Sequence, residues 1–180
     1  MTRQIGPPRD MGPCCIVWDP DGVNLDMKPT FGTVTYRPED QKEDVFHDEH
    51  GVAPVDSIHT GRPATLEVPM TSPNLAQLEA VIKGSTKKKS AGKYKILWVP
   101  NTVGCAVFAN AKVIIVKPLC NQVCSAIEAE WLYIFRAYPF AQLEIGFDNN
   151  GQRVYNVLFK CYPDDVSGSN NMIYRFGPAS

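Results

Sequence analysis

A chain of 180 residues with 44% hydrophobic and 10% aromatic residues has ample material for a core, which excludes general disorder. Its 15 prolines and 13 glycines interrupt it too often for long helices, and a formal net charge of -1 from 18 bases and 19 acids argues against a broadly basic nucleic-acid face. No apolar run approaches the roughly 20 residues of a membrane-crossing helix, and Arg3, Pro7, Pro8, Arg9 and Asp10 break up the stretch where a secretory signal would be continuous.

Residues 1–13 read as a Gly/Pro-rich extended arm, and residues 14–180 as one β-rich domain. Cys14 to Trp18 make a short apolar strand, closed by the turn Asp19-Pro20-Asp21-Gly22. Phe31 to Val68 reads as a strand, an acidic loop, a second strand, a turn and a third strand. Thr33–Phe46 is expected to be a hairpin, with Thr33 and Thr35 on one face and Val34 and Tyr36 on the other. The threonine face is the one expected toward water. Val55 to Ile58 suits another short extended piece. After the turn Thr60-Gly61-Arg62-Pro63, Ala64, Leu66 and Val68 alternate with Thr65 and Glu67, as a half-buried strand requires.

The period then changes. Leu75, Leu78, Val81 and Ile82 recur at helical spacing, with Ser72 as the expected cap and Pro73 as the first helical residue. This helix of about ten residues, roughly 15 Å long, covers one face of a sheet and stops near Gly84. Residues 84–92 read as a polar loop. Strands are expected over Tyr94–Val99, Val103–Ala109, Ala111–Val116, Trp131–Tyr138 and Val154–Cys161. Asp148-Asn149-Asn150-Gly151 reads as a tight turn joining Leu143–Phe147 to Arg153–Phe159. Residues 119–130 fit a helix or an alternating strand equally well. Met172–Phe176 reads as a last strand ending at Gly177. Strands, one helix, then strands predict a mainly β fold: an antiparallel β-sandwich or barrel with one flanking α-helix, carrying long hairpin and loop arms.

Charge is unevenly distributed. Residues 37–49 hold Glu39, Asp40, Glu43, Asp44, Asp48 and Glu49 against Arg37 and Lys42. Residues 83–95 hold Lys83, Lys87, Lys88, Lys89, Lys93 and Lys95 and no acid. Two opposite patches can orient subunits or steer a partner; the plainer reading is two solvated loops.

Motifs for chemistry are missing. His47 and His50 are three residues apart, whereas the metalloprotease helix needs its histidines four apart. Cys120-x3-Cys124 has neither zinc-knuckle nor redox-pair spacing. Asp19-x-Asp21-Gly22 lacks the later glycine and closing glutamate of a calcium loop. Lys87–Lys89 follow no glycine-rich phosphate loop, and no serine occupies a nucleophile elbow. The sequence therefore predicts no catalytic residue, no metal and no cofactor. With no export signal, the six cysteines are expected to be reduced and to pack as small hydrophobes. A basic-loop nucleic-acid adaptor is the competing class, because Tyr94 and Trp98 lie close to the lysines. A small hydrolase built around His47 or His50 is a distant third.

Three segments together resemble the tail tube proteins of tailed bacteriophages. They are FGTVTYRPEDQKEDVF, GVAPVDSIHTGRPATLEVPMTSPNLAQLEAVI and VYNVLFKCYPDDVSGSNNMIYRFG. The pattern also resembles tube-initiator and distal tail ring proteins and the inner tubes of contractile injection systems. The resemblance implies a structural protein of the virion tail. Six copies close into a ring, and rings stack into a tube that conducts genomic DNA from capsid to host. The implied partners are further copies of the chain and other tail components: initiator, terminator, tape measure and sheath. On this reading Thr33 and Thr35 line the lumen. Rings meet through Glu39, Asp40, Glu43 and Asp44 on one side and Lys87, Lys88 and Lys89 on the other.

Overall fold

Apolar Ala64, Leu66 and Val68 alternate with Thr65 and Glu67, and a half-buried antiparallel sheet is the structure that buries such a pattern. The structure, a computed structural model, describes residues 14–22, 24–27, 33–48, 51–71, 74–82, 85–90, 92–98, 108–120, 123–140, 154–165 and 171–178. Before the helix lie β1 (Cys14–Trp18), β2 (Leu25–Met27), β3 (Thr35–Pro38), β4 (Gln41–Phe46), β5 (Pro54–Gly61) and β6 (Ala64–Thr71). Helix α1 (Leu75–Val81) follows, then β7 (Thr86–Ser90), β8 (Lys93–Trp98), β9 (Lys112–Cys120), β10 (Val123–Cys124), β11 (Leu132–Phe140), β12 (Val154–Tyr162) and β13 (Tyr174–Phe176).

Nine strands form one sheet in the order β2-β1-β9-β11-β12-β6-β3, with β10 beside β9 and β13 beside β11. Every pairing is antiparallel. The pairs β4–β5 and β7–β8 are separate two-stranded ribbons. The chain is thus mainly β, with one α-helix among the described residues, as the order of elements predicts.

The core lies on one face of the large sheet. It takes Cys14, Ile16 and Trp18 from β1, Ile114 and Val116 from β9, Leu66 and Val68 from β6, and Val157 and Phe159 from β12. Met27, at one end of the strand order, and Tyr36, at the other, belong to the same cluster. The sheet therefore coils around its own apolar face. Ile134 and Ala137 of β11 are both buried although three residues apart; a bulge between them supplies the extra residue that strict alternation forbids.

Helix α1 is capped by Asn74, not by Ser72, which with Pro73 lies outside the described residues. The Asn74 side chain accepts from the Gln77 amide at 2.9 Å, and Gln77 Oε1 accepts from the Asn74 amide at 2.8 Å. This reciprocal cap satisfies two amides that the helix itself leaves open. Gln77 Nε2 also donates to the Asp26 carbonyl at 2.9 Å, which ties α1 to β2.

Four further expectations are corrected. Thr33–Phe46 is not a hairpin: β3 pairs with β6, and β4 pairs with β5. Val34 and Tyr36 reach the core only beside β6, which decides the pairing. Residues 84–92 are not a loop, because Thr86–Ser90 forms β7 against β8. The reversal is made at Gly92, whose φ of +77° is open to glycine and costly elsewhere, and the Lys87 amide is held by Glu79 Oε1 at 3.1 Å. Within 119–130, Leu119 and Cys120 end β9, Val123–Cys124 forms β10 and Glu128–Glu130 a 3-10 turn, so among the described residues neither a helix nor one alternating strand fills the segment. Finally, Cys15 and Cys124 form a disulfide. Both β1 and β10 pair along the end of β9, which brings the two thiols together. Cys14 and Cys161 are free and buried, as expected.

Residues 1–13, Leu143–Phe147 and the turn at 148–151 lie outside the described residues. Of the strand expected at Val103–Ala109, the described part, Phe108 and Ala109, belongs to a 3-10 turn.

Phe159 is fully buried, opposite Leu66 on β6 and Pro139 on β11. Phe159→Ala should lower the unfolding free energy by about 3–5 kcal/mol in a denaturant titration. Asn74→Ala should cost only about 1 kcal/mol, since it removes one cap and no packing.

Candidate assembly site: the ribbon and the cleft at its base

Strands β3, β4, β5 and β6 are two halves of one long antiparallel hairpin. Pro38 faces Ala64 and Gln41 faces Gly61 in the same register, so Glu39 and Asp40 lie opposite Pro63 and Arg62. The inner half, β3 with β6, belongs to the sheet and turns Tyr36, Leu66 and Val68 to the core. The outer half, β4 with β5, leaves the sheet. All of β4 is exposed, and so is β5 apart from half-buried Gly61.

The break between the halves is clamped. The Glu39 amide donates to the Pro63 carbonyl at 2.8 Å. Arg62 Nε donates to Asp40, and His59 Nε2 lies 3.5 Å from the same carboxylate. The Arg62 hydrogen bond, reinforced by its charge and by His59, holds the Asp40 carboxyl below the usual aspartate range. Asp40 in turn raises the Arg62 guanidinium. Further out, Ser57 Oγ donates to Asp44 at 2.6 Å across the ribbon. Bulges between Gln41 and Lys42 and between Val45 and Phe46 twist the ribbon along its length.

The ribbon also exposes apolar side chains: Phe46 and Ile58 at 58%, Val55 at 47% and Val52 at 96%. A two-stranded ribbon with neither face covered is marginal in water, and clustered exposed apolar groups mark interaction surfaces. At its foot lies an open cleft of about 1000 Å³. Pro63, Met172 and Tyr174 supply apolar lining, and Arg62 and Lys160 supply cationic lining beside the His59 imidazole. Cys161 also borders it, but burial pushes that thiol up to about 12, and burial raises Cys14 to about 11. Both therefore stay protonated at neutral pH and are poor nucleophiles. Among the described residues no group of three His, Cys, Asp or Glu side chains is placed to hold a metal ion, and no helix is long and apolar enough to cross a membrane.

The residues singled out in the sequence fall in three places. Thr33 is exposed just before β3, and Thr35 is half-buried on β3, opposite Glu67. Their face is the outer one, where Arg37 approaches Glu67 at 3.8 Å. Glu39 and Asp40 sit at the clamp, while Glu43 and Asp44 belong to β4, not to a loop. Their cross-strand partners Ile58 and Ser57 carry residues of low strand propensity into the ribbon. Lys87, Lys88 and Lys89 lie on β7 in the other ribbon. Lys87 Nζ is 2.8 Å from Glu79, whose carboxyl it holds below the usual value. The structure thus groups the acids on one ribbon and the lysines on another.

Sequence reasoning missed the clamp and the cleft. It also missed an aromatic row on the outer sheet face, where Lys117 stacks on Trp131 at 3.9 Å and Arg175 on Tyr133 at 4.4 Å. The alternation of Trp131, Tyr133 and Phe135 was the available signal for that row.

The clamp has a pH signature. A carboxyl depressed by folding contributes stability above its ordinary pKa and loses that contribution as pH falls through its folded value. In an NMR titration the Asp40 carboxyl should titrate below the usual aspartate range, and Arg62→Gln should move it upward. An unchanged midpoint in the variant would remove the clamp.

No protein-family model matches this chain, and no curated protein matches its sequence.

Proposed function

We propose that this chain is a structural subunit that assembles with copies of itself, with the ribbon β4–β5 as its docking arm, and that the assembly is a bacteriophage tail tube. The observation that carries the reading is a ribbon exposed on both faces and bearing Phe46, Val52, Val55 and Ile58. Such an arm gains its missing contacts from a neighbouring subunit. The sequence resemblance supplies the specific form: six-membered rings stacked into a conduit for DNA, with a tube-initiator or distal tail ring as the close variant.

Within that form the outer sheet face carrying Thr33 and Thr35 lines the lumen. The threonine hydroxyls carry no charge to hold a phosphate, while Lys117 and Arg175 on the same face are engaged by the Trp131 and Tyr133 rings. The acidic ribbon, with Glu39, Asp40, Glu43 and Asp44, meets a basic surface of the next ring. Exposed ion pairs contribute only about 0–1 kcal/mol each, so charge sets register and rate while apolar contact supplies stability. Lys87 is already bonded to Glu79, which limits its part in such a contact. The same bond weakens the nucleic-acid adaptor reading, which needs all three lysines turned to phosphate.

Electron microscopy of purified protein at high concentration should show rings or tubes. Deleting residues 42–58 should leave a folded β domain that forms neither. A wild-type chain that stays monomeric under all conditions, or a ribbon deletion that assembles normally, would overturn the reading. Cysteines placed at Thr33 or Thr35 should react with a bulky thiol reagent in the free subunit and be shielded after assembly; equal labelling in both states would remove them from the lumen.

A further inference from the structure

We infer that the cleft at the foot of the ribbon is the seat for the ribbon tip of a second copy of this chain, so that copies join head to tail. The inference rests on the assembly reading above and names the receptor surface that it leaves open.

Ribbon and cleft complement each other in two ways. The outer part of the ribbon presents Phe46, Val52 and Val55 to water, and the cleft offers Pro63, Met172 and Tyr174. The ribbon carries Glu43, Asp44, Asp48 and Asp56 against Lys42, whereas the cleft is lined by Arg62 and Lys160. Asp40 already neutralises part of this positive set through Arg62, and Lys160 also lies over the Phe140 ring at 5.2 Å. Even so, the Arg62 side chain stays 44% exposed, which leaves it able to meet further acids. A volume of about 1000 Å³ stands at the top of the roughly 300–1,000 Å³ span of ligand pockets. It exceeds what a single side chain needs and suits the tip of a ribbon.

Geometry selects a second copy as the occupant. The foot of the ribbon, at Gly61–Pro63, is itself part of the cleft lining. Strand β5 has eight residues, which at about 3.3 Å each places the tip roughly 25 Å from that foot. A chain therefore cannot fill its own cleft without dismantling its ribbon. Each copy carries one tip and one cleft at opposite ends of the same element. Such a contact is heterologous, and it propagates until a rotation closes it or it continues as a stack.

Two surface variants separate donor from acceptor. Phe46→Ser spoils the tip, and Met172→Asp spoils the cleft at a side chain 41% exposed. In sedimentation velocity, the wild type should grow with concentration, and each variant alone should associate at least tenfold more weakly. Mixed together, the two should give a one-to-one complex and nothing larger, because one sound tip and one sound cleft remain to meet. If Met172→Asp proves unfolded by circular dichroism, Val52→Cys mixed with Met172→Cys and treated with a short bismaleimide should give a cross-linked heterodimer; its absence would overturn the assignment.

If Phe46→Ser blocks growth while Met172→Asp grows like the wild type, the ribbon docks elsewhere, with Lys88 and Lys89 as the next candidate. The cleft assignment then falls and the assembly reading stands. If both variants grow like the wild type, the contact is falsified while assembly proceeds through another surface. A wild type that is monomeric throughout would overturn both.

Discussion

The structure turns on one long hairpin that keeps its register across a change of environment. Pairing runs in one register from Thr35–Glu67 to Gln41–Gly61 and shifts at the bulges beyond, yet only the inner half has a core to cover. Beyond Glu39-Asp40 and Arg62-Pro63 the same hairpin runs into solvent. The clamp at this boundary, built from the Glu39 amide and the Asp40–Arg62 pair, lets a sheet strand and a free arm share one backbone. Without it, the outer half would have only its own marginal ladder to hold it in line.

The inner half is correspondingly secure. β6 lies between β3 and β12, and its alternate residues Ala64, Leu66, Val68 and Met70 are all buried. On the far side of the sheet order, β11 serves three neighbours. β9 runs along one edge, while β13 and β12 share the other, each taking a different part of its length. The outermost strands, β2 and β3, have only three and four residues. Short edges of this kind resist unwanted pairing. Among the described residues the longer open edges are then those of the ribbons β4–β5 and β7–β8, and the assembly reading assigns the first of them to contact.

Much of the inner architecture was legible because its signal is local. The alternation at Ala64–Val68 states both strand and buried face, and the apolar runs at Cys14–Trp18 and Trp131–Tyr138 state the strand. The acidic segment was misread for a physical reason. Glu43 and Asp44 have low strand propensity, and the partners that hold them, Ile58 and Ser57, are 15 and 13 residues away and carry no mark of the pairing. The helix start was misplaced because Ser72-Pro73 and Asn74 both satisfy capping rules; Gln77, three residues after Asn74, decides between them. The Cys15–Cys124 bond spans 109 residues, so it becomes visible only once β1 and β10 are known to flank β9. The cleft draws its lining from β5, β6, β12 and the residues before β13, and no single segment announces it.

The central claim is that the outer half of the hairpin is bare in the free subunit and covered in the assembly. Amide hydrogen exchange across a concentration series tests it residue by residue. Amides of β6 and β12 should be protected in both states, since they are sheet-bound in the subunit itself. Amides of β4 and β5 should exchange quickly in the dilute subunit and become protected in assembled particles. Ribbon amides that exchange equally fast in both states, with particles present, would contradict the account.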